Sequence, residues 1–191
     1  MRLGTWTQRH ISKIQYKKNT GADLNIMHAY CDASDGDMDE SKSQTGFVIY
    51  LNGAPVHWGS CKQTTTSLST GESETKATCL VARELVFLRG LMAEMGYPQP
   101  PTEVFSDSEV SIAWNQPKKA LSKRNKHLAR QDWYCKEQVE LGAIKLTHCS
   151  SADQIADIAT KNLPRVTHEK LCKHLFDMSN DENKDSIETT D

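Results

Sequence analysis

The distribution of apolar residues predicts a sheet in the first third of the chain. Short apolar runs occupy 24–31 and 46–51, and a further strand-like run spans 54–61. The last two runs are separated by Asn52-Gly53, a strong signal for a two-residue hairpin, because both turn positions require a positive φ. The pattern therefore predicts an antiparallel meander of three strands.

The hydrophobic period changes after residue 69 and predicts a long amphipathic helix over 69–95. Leu85, Leu88 and Met92 recur at steps of three and four residues, which is the spacing of one helix face. Ser69 or Thr70 is expected to cap the start of this helix, and Gly96 is expected to follow its end.

The remaining chain alternates between strand-like and helical segments. In chain order, the pattern predicts strand, helix, helix, strand, helix and helix at 103–106, 108–115, 127–140, 143–148, 153–160 and 167–176. Three strands in a meander followed by alternating elements predict an α/β fold with a mixed five-stranded sheet and helices packed on it.

Composition and charge divide the 191 residues into one domain and two flanking segments. Residues 1–23 are polar and basic and are expected to be a connector, and 24–176 contain the predicted elements. Residues 177–191 carry six acids and one base, and we expect an acidic disordered tail. No apolar run approaches the roughly 18 residues of a membrane span, so no membrane association is expected.

The six cysteines are expected to be free thiols. None belongs to a C-x-x-C pair, and the chain begins without an apolar signal segment. An even cysteine count in a chain of this size and type does not indicate a disulfide framework.

Four acids stand at the ends or first turns of predicted elements and could form one site. Asp32 and Asp107 end strands, Glu72 lies in the first turn of the long helix, and Asp157 lies in the short helix after the fifth strand. Clustered carboxylates repel one another unless cations neutralise them, and hard oxygen ligands suit Mg²⁺ or Mn²⁺. Two such ions can support phosphodiester cleavage.

Six motifs occur in a characteristic order. They are YCDAS at 30–34, KSQTGFV at 42–48, STGESE at 69–74, FSDS at 105–108, NKH at 125–127 and DQIADIATKNLP at 153–164. Over about 28–176, the chain resembles the ribonuclease H region of copia-type LTR retrotransposon Pol polyproteins.

The resemblance implies a ribonuclease H-like fold, in which the antiparallel meander is followed by parallel strands and helices cover both faces of the sheet. It implies a two-metal-ion endonuclease that uses Mg²⁺, with Mn²⁺ as a substitute, and cleaves the RNA strand of RNA–DNA hybrids during reverse transcription. By position, the catalytic and metal-binding carboxylates are Asp32, Glu72, Asp107 and Asp157.

Three of these assignments have competitors in the sequence. Glu74 competes with Glu72, which is preferred as the first glutamate of the family's E-x-E. Asp153 competes with Asp157, which is preferred because it lies in the A-D-x-x-T-K motif. The loop after Asp32 is one residue shorter than the common family pattern. The position of the family's first aspartate therefore stays open among Asp32, Asp35 and Asp37.

A basic stretch is the predicted contact to nucleic acid. Six cations without an acid can bind phosphates along a hybrid, and they are Lys118, Lys119, Lys123, Arg124, Lys126 and Arg130. Recognition is expected to depend on backbone shape and 2′-hydroxyls rather than on base edges. Trp58 is expected to be a strand core residue and not a stacking platform.

The resemblance also implies partners and a setting. The 1–23 connector would follow an upstream polymerase region, the reverse transcriptase domain of the same polyprotein would be a partner, and the protein would act in the cytoplasm in virus-like particles, or in the nucleus. A catalytically inactive nucleic-acid-binding remnant is the alternative function. An integrase is disfavoured, because the 35-residue gap runs from a glutamate to an aspartate, the reverse of the order that enzyme needs.

Overall fold

The computed structural model describes residues 24–34, 42–115 and 129–175, with the backbone alone at 129–132. The predicted connector at 1–23 and the predicted tail at 177–191 lie outside these residues. Within the described part, no helix is long and apolar enough to cross a membrane.

The first three strands form the predicted meander. Strand β1 (Met27–Ser34) pairs antiparallel with β2 (Gln44–Leu51), which pairs antiparallel with β3 (Ala54–Lys62). The turn between β2 and β3 has positive φ at Asn52 (55°) and Gly53 (77°), which confirms the predicted hairpin.

Two parallel strands complete the sheet. Strand β4 (Thr102–Ser106) pairs with β1, and β5 (Ile144–His148) pairs with β4, so the order is β3-β2-β1-β4-β5. The predicted mixed five-stranded sheet is confirmed. Because β1 is the middle strand and runs parallel to β4, the carboxyl ends of these two strands lie at the same edge of the sheet.

Five α-helices accompany the sheet in the part of the chain that the structure describes. They are α1 (Thr70–Glu94), α2 (Glu109–Trp114), α3 (Ala129–Glu140), α4 (Asp157–Thr160) and α5 (Arg165–Leu175). The predicted helix at 153–160 is divided in the structure. A 3₁₀ turn at Ser151–Asp153 precedes Gln154, whose extended backbone separates the turn from α4.

Helices cover both faces of the sheet, as predicted. On one face, α1 packs over β1 and β2, and buried Ile49, Leu85 and Val104 lie in the resulting core. On the other face, Ile155 packs with Val48 and Tyr50 beside α4.

The prediction that Trp58 is a core residue is wrong, since its side chain is 55% exposed. Trp58 lies on β3, which is an edge strand and therefore has a neighbouring strand on one side only.

All six cysteines are free thiols, as predicted. Cys31, Cys79, Cys135 and Cys172 are buried, so most of them act as small core side chains.

Candidate active site

Three of the four predicted carboxylates converge at the carboxyl edge of β1 and β4. Asp32 lies near the end of β1, Asp107 directly follows β4, and Asp157 is the first residue of α4. One carboxylate oxygen from each residue lies within 4.8 Å of the others. Asp32 is fully buried and Asp157 is nearly so. The strand topology thus brings together acids that are distant in sequence.

Glu74, the competitor of Glu72, lies in the same cleft. Glu74, Asp32, Asp107 and Lys161 all line a cavity of about 370 Å³. The backbone N–H of Ala33 donates a hydrogen bond to the Glu74 carboxylate. The Oε2 atom of Glu74 is buried and accepts no hydrogen bond from any described residue. A buried oxygen without a donor is costly, so this atom is suited to accept a hydrogen bond or bind a cation.

The structure does not bring Glu72 to this cluster. Ser69 accepts a hydrogen bond from the Glu72 backbone N–H, and the Glu72 carboxylate accepts one from the backbone N–H of Leu68. Its other oxygen pairs with Lys76 at 2.9 Å. This arrangement resembles a capping box, in which an S-x-x-E sequence satisfies backbone donors at a helix start. Glu72 therefore stabilises the beginning of α1.

A glycine on β2 allows α4 to approach the sheet. Gly46 is the register partner of Asp32. A Cβ atom at position 46 would lie 2.6 Å from Thr160 Cγ2 and 2.7 Å from the Cβ of Ala159. Only a residue without a side chain fits here, and the close approach sets α4, with Asp157, against the end of β1.

Further hydrogen bonds fix the backbone and the aspartates. The buried Gln154 amide donates to the carbonyl oxygen of Cys31 at 2.9 Å, which ties the segment before α4 to β1. The Thr160 hydroxyl donates to Asp32 Oδ2, and the Ser151 hydroxyl donates to Asp107 Oδ2 at 3.0 Å.

Lys161 adds a cation to the acidic cluster. Its Nζ atom lies 2.8 Å from Asp157 Oδ1 and 3.3 Å from Asp32 Oδ1. Lys161 and Thr160 are absent from the set of residues predicted from sequence, although the A-D-x-x-T-K motif contains both. Their position three and four residues after Asp157, within one helical turn, is the signal that could have identified them.

Burial and mutual repulsion raise the pKa of two of these acids. Desolvation, and then the charges of Asp32 and Asp107, raise the pKa of Glu74 to about 8. Desolvation also raises the pKa of Asp157 to about 6, although the hydrogen bond from Lys161 opposes the shift. The ionised forms of both acids are therefore disfavoured in the folded chain unless a cation neutralises them.

The donor set fits a divalent cation of the Mg²⁺ or Mn²⁺ type. It offers carboxylate oxygens from Asp32, Asp107 and Asp157, and Glu74 lines the same cleft. Hard carboxylate oxygens are the ligands that these ions prefer.

The remaining sequence candidates are one exposed acid and residues whose side chains the structure does not describe. Asp153 is exposed and accepts hydrogen bonds from Ser150 and Lys170. Asp35 and Asp37 lie outside the described residues, as do the side chains of the basic stretch: Lys118, Lys119, Lys123, Arg124, Lys126 and Arg130.

Comparisons with known proteins identify relatives over most of the chain. It is 31% identical over 150 residues to the retrovirus-related Pol polyprotein from transposon RE2 of Arabidopsis thaliana, covering 78% of this chain and 10% of the relative. It is 32% identical over 154 residues to the Pol polyprotein from transposon TNT 1-94 of Nicotiana tabacum, covering 80% and 11%. The chain thus spans about a tenth of the length of these relatives. No family model matches the chain.

Solved structures share the fold at low sequence identity. RNase H1 from the archaeon Halobacterium salinarum matches with a TM-score of 0.51 and 17% identity, covering 71% of this chain and 94% of that one. An N-terminal RNase H domain from Mycobacterium tuberculosis matches with a TM-score of 0.52 and 9% identity, covering 78% and 95%. Sequence and fold together show that the chain is a homologue of one segment of copia-type transposon Pol polyproteins and has the ribonuclease H fold.

Proposed function

We propose that this chain is a divalent-metal-dependent ribonuclease that cleaves the RNA strand of RNA–DNA hybrids for its retroelement. The observation that carries the proposal is the convergence of Asp32, Asp107 and Asp157 within 4.8 Å at the carboxyl edge of β1 and β4. The relatives are Pol polyproteins, and the fold is that of RNase H. One neighbour of that fold, an RNase H1 with a TM-score of 0.50 and 18% identity, was solved in complex with an RNA/DNA hybrid.

In this proposal, Glu74 takes the fourth metal-binding position in place of Glu72. Glu74 lines the cleft and has an unsatisfied buried oxygen, whereas both oxygens of Glu72 are engaged at the start of α1. When bound, two Mg²⁺ ions would activate a water molecule for attack on phosphorus and stabilise the leaving oxygen.

Hydroxyl groups of Thr160 and Ser151 orient two of the carboxylates. The Thr160 hydroxyl donates a hydrogen bond to one carboxylate oxygen of Asp32, and the other oxygen accepts one from Lys161. Ser151 donates to Oδ2 of Asp107 and so restrains the rotation of that side chain. Such support keeps ligands in place before the substrate arrives.

We also propose the partners. The basic residues at 118–130 would contact the phosphates of the hybrid, because they supply cations between the third carboxylate and the last strand. The reverse transcriptase domain of the same polyprotein would supply that hybrid, since the chain spans only about a tenth of its Pol polyprotein relatives.

Cleavage of a labelled RNA–DNA hybrid tests the proposal. Asp107→Asn and Glu74→Gln should each lower Mg²⁺-dependent cleavage by at least a hundredfold, because each removes a ligand charge. Glu72→Gln is the matched control, two residues away, and should keep cleavage within a few-fold. Unchanged cleavage in Asp107→Asn would overturn the metal site. Hybrid binding without cleavage by the unmutated protein would favour the inactive, nucleic-acid-binding alternative.

A further inference from the structure

We propose that Lys161 is a positioning residue whose ammonium group is a resident cation of the carboxylate cluster. It holds Asp32 and Asp157 together before divalent ions bind, and those ions must displace it. The inference rests on the proposed function, because it concerns the same metal-binding carboxylates.

The geometry places one ammonium group between two of the three converging acids. Lys161 Nζ contacts Oδ1 of both Asp157 and Asp32, at 2.8 and 3.3 Å. The side chains of Asp32 and Asp157 are 1% and 10% exposed, whereas that of Lys161 is 37% exposed. The two acids are therefore fixed in the protein, and the lysine reaches them from the solvent side.

Electrostatics explains why the cluster needs such a cation. Carboxylates within 4.8 Å of one another and largely removed from water repel strongly. The Lys161 ammonium group lies within ion-pair distance of both buried aspartates and offers them a positive charge.

The same geometry makes the lysine a competitor of metal ions. A divalent cation bound by Asp32 and Asp157 would compete with the ammonium group for the same two carboxylates. A lysine side chain is flexible, and its ammonium group is strongly hydrated, so it can leave for water once a doubly charged ion replaces it. Lys145 with Glu103, by contrast, forms an ion pair in which both side chains are exposed.

Replacement of Lys161 separates its stabilisation of the two aspartates from its competition with metal ions. Without metal, in EDTA, Lys161→Met should lower the Tm by about 5 °C, because two buried carboxylates lose their counter-ion. Calorimetric titration should show that Mn²⁺ binds Lys161→Met about tenfold more tightly than the unmutated protein. Lys145→Met, which removes an exposed pair, is the matched control and should change neither quantity.

A second measurement uses the unmutated protein and does not depend on whether the variant folds. Acetylation of lysines, followed by mass spectrometry, should find Lys161 protected in EDTA and several-fold more reactive in saturating Mg²⁺, with Lys145 as the internal reference. Reactivity that does not change with Mg²⁺ would contradict displacement.

The outcomes distinguish this inference from the proposed function. If folded Lys161→Met binds Mn²⁺ with unchanged or weaker affinity, Lys161 is only structural and the inference fails, while the metal site stands. If the unmutated protein binds no Mn²⁺ at all, the metal site itself fails and the inference fails with it.

Discussion

Glu74 is the residue at which burial and charge conflict most strongly. Its carboxylate is buried, one of its oxygens accepts no hydrogen bond from the described residues, and its pKa is raised to about 8. A group whose folded pKa is raised holds a proton that the unfolded chain has already released. Ionisation of Glu74 therefore lowers the free energy of unfolding whenever no divalent cation is bound.

A pH dependence of stability follows from this shift. Between the ordinary pKa of a glutamate and about pH 8, the folded state binds more protons than the unfolded state, so the free energy of unfolding should fall as pH rises. Asp157, with a pKa of about 6, adds to the loss in the lower part of this range. Urea unfolding in EDTA from pH 5 to 8.5 measures it.

Two variants locate the source of the effect. Glu74→Gln should flatten the pH profile and raise stability at pH 8 by on the order of 1–3 kcal/mol, since it removes the buried charge. Glu72→Gln should keep the slope and lower stability by about 1 kcal/mol, because it weakens the start of α1. An unchanged slope in Glu74→Gln would show that another group titrates.

At this scale, the sequence identifies the kind of residue better than the exact position. Asp32, Asp107 and Asp157 are predictable because each stands where a strand ends or a helix begins. Glu72 and Glu74 are not separable by motif alone, since both fill an E-x-E. The two glutamates have different surroundings because residues two apart point to different sides of a helix. The S-x-x-E pattern at 69–72, which is typical of a capping box, indicates that Glu72 belongs to the helix start.

Among the elements, the contact between β2 and α4 determines the shape of the site. Helix α4 has only four residues, so it depends on tertiary contacts for its position. Gly46 gives it room against the sheet, and Thr160 and Lys161 then reach Asp32.

Adding one methyl group at this contact should therefore disturb both stability and the site. Gly46→Ala should destabilise the protein by about 2–3 kcal/mol and weaken Mn²⁺ binding, because α4 must move away from Asp32. Gly90→Ala is the matched control: position 90 is an exposed position of α1 where a new Cβ meets no atom within 4 Å, and the change should stabilise the protein by about 0.5–1 kcal/mol. Thermal unfolding and calorimetry measure the two effects, and equal stability of both variants would contradict this role of Gly46.

Most elements are predictable from the hydrophobic pattern, but α4 is not. The hairpin at 52–53 and the long α1 follow from local rules about turns and helix periodicity. The predicted helix at 153–160 is divided because the buried Gln154 side chain bonds to β1 and its backbone is extended. A contact between residues so distant in sequence cannot be predicted from the local pattern of hydrophobic and polar residues.

On the scale of the whole molecule, charge is separated along the chain. The total of −2 conceals the six cations at 118–130, while the acids of the cleft converge at the end of β1. A chain whose net charge is near zero can therefore contain both a basic segment and an acidic cleft.

The predicted basic stretch should control how salt affects hybrid binding. Lys123→Ala combined with Arg124→Ala should weaken hybrid affinity in low salt and reduce the slope of log K against log salt by about 1–2, because two phosphate contacts are lost. Lys145→Ala with Lys173→Ala is the control, since neither residue lines the cleft. Fluorescence anisotropy at several salt concentrations measures the slope, and equal slopes for both pairs would argue against this contact.

The hydrogen bond from Gln154 to the carbonyl of Cys31 joins residues 123 positions apart. On a translating ribosome, Asp32, Glu74 and Asp107 all emerge well before Asp157 and Lys161. A chain that is interrupted between Asp107 and Asp157 therefore lacks one of the three converging acids and the lysine that contacts two of them. Under the proposed function, such a chain would have no nuclease activity, even though it holds four of the five strands of the sheet or more.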